Sequence, residues 1–536
     1  MSRVFAWVRR NSLLLFGWGV VSLVYGAFAL QGALPLLSPD ETAVFTLART
    51  IGEEGRVGLF DARAQTHLWL HPRSFLVRDG WLLPVGFPLW PVMLSVLGWV
   101  GSGASILWLQ VLVCASAVIP LTLLAERVFG WRRWMALAWA FIPLASPLAV
   151  LYGARGGFTL MPQVALLAWT GWGLVRGARA RGVAFGVGVL GAITIGLRPT
   201  EIVWIAPVLV VLAYQARAVW QGYYRWLLLG VAVGAACVLG VHWWVYGAPW
   251  RIGYLLPSLS SLLALTPVAV EGAVSFWRRW LPYGVSIAQL RANVEAAFWL
   301  GWWAWAVGIV AVMAAWVAQR RARVSRGEAA SVILLVWMTL WVLFYYGQGR
   351  YADHIGGQQM HLGSSFLRYV APAVFGWMAW AAWAAIEWAR SARWRTALVA
   401  LLLCSSVSGG IGWAYTDAED GLLRGRRERE MYGDVRQAVQ AIAPAEAIWV
   451  SDRSDKMLFP SRMSVSPVPA REELLAFLQR QQGQVFLFAR PPRQAERDAW
   501  TRAGLELVER QSFARETVYE VRLRPGFAEV GTDRAH

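Results

Sequence analysis

The chain has 536 residues, 57% of them hydrophobic, and its mean hydropathy is +0.45. Soluble domains run nearer to roughly 45–50% apolar, and many apolar runs here approach the roughly 20 residues that cross a hydrocarbon core, so a string of soluble domains is excluded. The net charge is +18 and Lys456 is the sole lysine; the arginines gather at the ends of apolar runs, so the charge reads as membrane topology and not as a nucleic-acid surface.

The first apolar run covers about residues 12–34. It has the basic start of a signal peptide, but it is too long and further spans follow, which predicts an uncleaved first helix. Then comes "LLSPDETAVFTLARTIGEEGRVGLF" (36–60). Ser38 as N-cap, Pro39 at the first helical position and Glu41 at the third make a capping box. Val44, Leu47, Ala48 and Ile51 form an apolar stripe, which predicts a helix lying on the outer membrane face with that stripe down. The acid pair Asp40 and Glu41 has two compatible readings. In one, both acids suit the cap and the helix dipole. In the other, Glu41 caps while Asp40, held rigid and ionised at the water–lipid boundary, serves as a general base.

"FPLWPVMLSVLGWVG" (87–101) is about 15 residues long with two prolines near its start, which predicts a re-entrant or interfacial segment and not a full span. Further spans are expected near 104–126, 134–152, 158–175, 183–197, 201–216, 226–246, 297–318, 329–346, 367–389 and 396–416. If 87–101 does not cross, the clusters at Arg9/Arg10, Arg127/Arg132/Arg133, Arg176/Arg179/Arg181, Arg217/Arg225, Arg320/Arg321/Arg323/Arg326 and Arg390/Arg393/Arg395 all fall on the cytoplasmic side; if it crosses, only the first does. The expectation is therefore an all-α polytopic plasma-membrane protein of about 11 transmembrane helices, with the N-terminus cytoplasmic. Segments 35–103, 247–296 and 347–366 then face outward, as does the tail from 417.

A few arginines lie at outward helix ends, against the bias: Arg155 in "YGARGGF", Arg198 in "GLRPTE", and Arg350 and Arg368 flanking "GRYADHIGGQQMHLGSSFLRY". Each either snorkels to head groups or grips an anion through its planar fork. Tyr369 reads as an interfacial anchor. Asp353, His354 and His361 are scattered through the same loop, and no metal cofactor is expected there. Cys114, Cys237 and Cys404 lie inside apolar runs and suit neither a disulfide framework nor a metal site.

In the tail, helical pattern covers about 428–443, 470–481 and 493–503, while 446–452, 484–490, 505–512 and 516–523 read as strands. This predicts a small C-terminal α/β extracytoplasmic domain, 417–536, beside a membrane domain, 1–416, that carries the first external loop. It contains no Gly-rich phosphate loop and no nucleophile elbow.

The ordered set "PDETAVFTLARTIGEEGRV", "FPLWPVMLSVLGWVG", "AERVFGWRRWMALAWAFIPLASPL", "GLRPTEIVWIAPVLV" and "SSFLRYVAPAVFGWMAW" spans residues 1–390. It resembles membrane glycosyltransferases of the GT-C superfamily, in the branch of the protein O-mannosyltransferases and the lipid A aminoarabinose transferases. The resemblance implies transfer of a sugar from a polyprenyl-phosphate donor to a lipid, glycan or protein acceptor on the extracytoplasmic side. It places the catalytic acid pair of the first external loop on Asp40 and Glu41. Arg198 and Arg368 lie in matching motifs and are expected to steady the donor phosphate, with Arg155 and Arg350 as further candidates. The aminoarabinose transferases carry a lysine before the proline-rich segment, whereas "LPVGFPLWP" has no basic residue; the phosphate is then held from elsewhere, and aminoarabinose is disfavoured as the sugar. Most of the 35 tryptophans suit interfacial belts, while Trp69, Trp81 and Trp90 are placed to stack on a sugar ring. The rival class is a transporter or lipid flippase without bond chemistry, but the sequence shows no convincing repeat and no mid-membrane ionisable path.

Overall fold

The computed structural model describes residues 2–29, 36–98, 103–177, 180–220, 222–251, 253, 284–297, 326–349, 351, 360–388, 391–480, 483–513 and 516–525. The chain divides into two compact units, neither continuous in sequence. The first comprises Met1–Gln31, Leu107–Val241 and Ala273–Gly425; the second comprises Gly32–Ile106, His242–Gly272 and Arg426–His536.

The first unit is helical. Among the described residues, six helices are long and apolar enough to cross a membrane: Asn11–Phe28, Ser105–Phe129, Tyr224–Tyr246, Glu328–Tyr346, Ser365–Glu387 and Arg393–Thr416. Two bent pairs bring the number to eight if each is one span. Residues 298–318 of the span expected at 297–318 lie outside the described residues, as do Arg179, Arg320, Arg321, Arg323 and Arg390. The bends have a local chemical cause. Arg133–Leu144 and Pro147–Ala154 meet at 77°, and Arg181–Gly196 and Pro199–Gln215 meet at 107°. Each second helix starts on a proline, which drives the preceding residue out of the helical region. Ser146 sits at ψ 151 and caps Ala149, and Arg198 sits at φ −148, ψ 85.

Helices in a bilayer gain little from burying apolar surface against one another, so close approach through small residues matters more. Gly188 on Arg181–Gly196 and Gly230 on Tyr224–Tyr246 provide such an approach. A Cβ at Gly188 would lie 2.1 Å from the Leu227 carbonyl oxygen, and one at Gly230 would lie 2.1 Å from that of Phe185.

In the second unit, the helix Pro39–Glu54 is buried well beyond its stripe: Thr42, Ala43, Phe45, Thr46 and Thr50 are covered as well as Val44, Leu47, Ala48 and Ile51, while Arg49 and Glu53 are exposed. It packs along the helix Leu89–Gly98. A small antiparallel sheet follows in the order β1 (Leu59–Phe60), β3 (Trp81–Pro84), β2 (Phe75–Arg78).

The tail forms a mixed five-stranded sheet. It contains β4 (Ile448–Ser451), β5 (Ser464–Val465), β6 (Val485–Ala489), β7 (Leu505–Ser512) and β8 (Thr517–Leu523), in the order β5-β4-β6-β8-β7. β4 pairs in parallel with β5 and β6, and β8 runs antiparallel between β6 and β7. One face of this sheet shares a core with the first loop, where Trp69, Leu70, Phe75 and Leu82 meet Ile448, Val450, Leu487 and Tyr519. The other face carries Trp449, Phe486 and Phe488 against Tyr432 and Val439 of the helix Leu422–Ile442. With both faces covered, every residue of β4 is buried, as in central strands generally.

Two glycines on one helix have opposite expected responses. Gly188→Ala meets an immovable backbone and costs about 1–3 kcal/mol of overpacking. Gly186→Ala enters open space and gains about 1 kcal/mol in helix propensity. Thermal melting in detergent should fall for the first and hold or rise for the second.

Candidate active site

The capping box expected at Ser38 forms. The Glu41 amide donates to Ser38 Oγ at 3.2 Å, and the Ser38 amide donates to Glu41 Oε2 at 2.8 Å. Glu41 is 0% exposed, and capping accounts for its burial. Asp40 precedes it, half-buried at the second helical position. The helix dipole favours its ionised form. Ser74 Oγ donates to Asp40 Oδ1 at 2.6 Å, a length typical of a hydrogen bond to a charged oxygen. Ser74 has φ +62, a left-handed conformation that non-glycine residues rarely adopt.

In the first unit, three of the sequence-predicted arginines come together around aromatic rings. The Arg155 guanidinium lies 5.3 Å from the Phe158 ring centre, and that of Arg368 lies 4.8 Å from the same ring and 5.1 Å from Tyr369. Arg198 lies 5.1 Å from Tyr369 and 5.7 Å from Tyr346. Tyr346 and Tyr369 stack at 4.2 Å. The result is a ladder of alternating cations and rings, each contact of the cation–π type. Tyr369 is thus part of this ladder, beyond the anchoring role expected of it.

Each rung has a local support. Arg155 ends the helix Pro147–Ala154, and buried Gln110 holds the loop by donating to the Arg155 carbonyl at 3.0 Å and accepting from the Gly157 amide at 2.8 Å. Arg368 is the fourth residue of the helix Ser365–Trp388, where a cation opposes the dipole; helix stability does not explain it. Arg198 occupies the Pro199 break, 4% exposed, and pairs with Glu201 at 2.9 Å. Glu201 also accepts from the Tyr346 hydroxyl at 2.8 Å and from the Trp204 indole, and Arg198 donates to Tyr346 at 3.2 Å.

The remaining candidates are placed otherwise. Trp69 is 7% exposed, packed by His67 and Phe477, and Trp90 is 1% exposed; both are packing residues of their core. Trp81 is half-buried beside Phe60 at 5.2 Å. Arg350, Asp353 and His354 lie outside the described residues. His361 donates its amide to Ser364 Oγ at 2.9 Å. Sequence reasoning passed over Glu201, Tyr346, Phe158 and Ser74. Glu201 was legible as an acid three residues from Arg198 in an apolar setting, whereas Ser74 carried no signal.

The buried ion pair yields a stability test. Glu201→Gln leaves the Arg198 charge uncompensated and should cost about 3–5 kcal/mol, read as a lower melting temperature in detergent. Adding Arg198→Gln should recover part of the loss.

No family model and no curated protein sequence matches the chain. Among solved structures it resembles ArnT from Cupriavidus metallidurans bound to undecaprenyl phosphate, with 13% identity and a TM-score of 0.54 over 95% of this chain and 98% of that one. The apo state of the same protein gives 12% identity and a TM-score of 0.53 over 96% and 98%. The chain is a multi-pass membrane protein that shares the fold of ArnT along nearly its whole length.

Proposed function

We propose that the protein is an inverting glycosyltransferase. It moves a sugar from a polyprenyl-phosphate donor to a hydroxyl of a lipid, glycan or protein acceptor on the extracytoplasmic face of the plasma membrane. The observation that carries this reading is the fixed carboxylate of Asp40, hydrogen-bonded at 2.6 Å, in a chain that shares its fold with a protein solved with undecaprenyl phosphate.

In the proposed step, Asp40 takes the proton of the acceptor hydroxyl. The acceptor oxygen bonds to the anomeric carbon while the bond from that carbon to the phosphate oxygen breaks. The electron pair leaves with the polyprenyl phosphate, whose developing charge is met by Arg198 and Arg368, with Arg155 beside them and Arg350 as a further contributor. Glu41 fixes the helix start. Carboxylate and guanidinium groups carry the step, with no metal called on. The N-terminus is cytoplasmic and the C-terminal sheet extracytoplasmic in this reading, in keeping with the arginine bias.

The test is a transfer assay with the full chain in membranes, a panel of labelled polyprenyl-phosphate sugars and a panel of acceptors. Asp40→Asn, expressed at parental level, should lose about 10²–10⁴-fold in rate. Arg368→Ala should lose about 10²–10³-fold, and Arg368→Lys should recover part through charge without the planar fork. Unchanged transfer in Asp40→Asn removes the base. Net movement of donor lipid with no transfer in the parent favours a flippase.

A further inference from the structure

The C-terminal sheet domain contributes to the proposed site through its own residues. Asp455, 1% exposed, accepts from the Arg73 amide at 2.8 Å and from the Arg73 guanidinium at 2.9 and 2.7 Å. Arg73 also donates to the Arg453 carbonyl at 2.5 Å. Residue 73 is thus held by backbone and side chain together, and residue 74 follows in the strained left-handed conformation at φ +62. That conformation turns the Ser74 hydroxyl onto Asp40. The neighbouring Lys456 donates to the Leu37 carbonyl at 2.8 Å, one residue before the Ser38 cap. Two consecutive residues of the short helix Asp455–Leu458 therefore grip both sides of the Asp40–Ser74 pair.

We infer that Asp455 and Lys456 are positioning residues, through which the C-terminal domain aims Ser74 at Asp40 and keeps that carboxylate ionised and oriented. The assignment rests on the reading of Asp40 as the base. A strained non-glycine residue persists where the surroundings over-determine it, and here the surroundings are the Arg73–Asp455 pair. The titratable and charged groups on the described elements packed about this helix start include Arg73 and His71 on the loop, Asp455 and Lys456 on the short helix, Glu516 beside Ser454, Arg436 on the helix Leu422–Ile442, and Glu41 on the helix itself.

The experiment reads Asp40 without any donor. The full chain in detergent is treated with dicyclohexylcarbodiimide, which couples to protonated carboxyls, across a pH series, and labelling at residue 40 is quantified by tandem mass spectrometry. Ser74→Gly removes the hydroxyl and suits the positive φ, so the fold is kept. Its labelling midpoint should move upward by about one pH unit, the scale of one hydrogen bond to a charged group. Asp455→Asn should move it in the same direction and add nothing in the Ser74→Gly background, because both act along one path. A midpoint unmoved in Ser74→Gly overturns the inference, as do additive shifts in the double variant. If the midpoint moves as expected while the parent transfers no sugar, the positioning stands and the base role falls.

Discussion

A carboxylate can act as a base at a membrane edge only if its backbone is held still while its oxygens remain able to take a proton. The serine–proline start of the helix Pro39–Glu54 meets the first condition by reciprocal hydrogen bonds between Ser38 and Glu41. It divides the two acids by function: one is consumed by the cap and fully buried, the other stands half-buried beside it. Most of the helix is buried, and the cap is reinforced by packing against Leu89–Gly98 and by the loop that carries Ser74. The rest of the second unit is a frame around this one helix start.

The first unit solves a different problem. Guanidinium groups in an apolar bundle need partners, since an unpaired buried charge is costly. Here the partners include aromatic rings and one glutamate. Arg198 and Glu201 neutralise one another within the Pro199 break. Arg155 and Arg368 share the Phe158 ring. Pro199 makes the break that brings Arg198 to a helix end, so there the local rule that interrupts the helix also places its cation.

Much of this was legible in the chain. The capping box, the short proline-flanked helix and the tail strands stand where residue pattern placed them, because each depends on contacts within a few residues. The arginines were singled out because they break the charge bias of the expected topology. Three things were not. The burial of Thr42, Thr46 and Thr50 beyond the apolar stripe depends on segments far away in sequence. Trp69 and Trp90 looked like sugar platforms because an exposed aromatic and a core aromatic read alike. The shared core of the first loop and the tail sheet, from Trp69 and Phe75 to Ile448 and Tyr519, joins stretches hundreds of residues apart, and no local pattern encodes it.

The central claim is that Asp40 activates an acceptor hydroxyl for a single displacement at the anomeric carbon. The stereochemistry of transfer tests this most directly. The anomeric configuration of the product, read by proton NMR against that of the polyprenyl-phosphate donor, should be inverted. Retention would mean that the sugar first bonds to the enzyme, and would contradict the account.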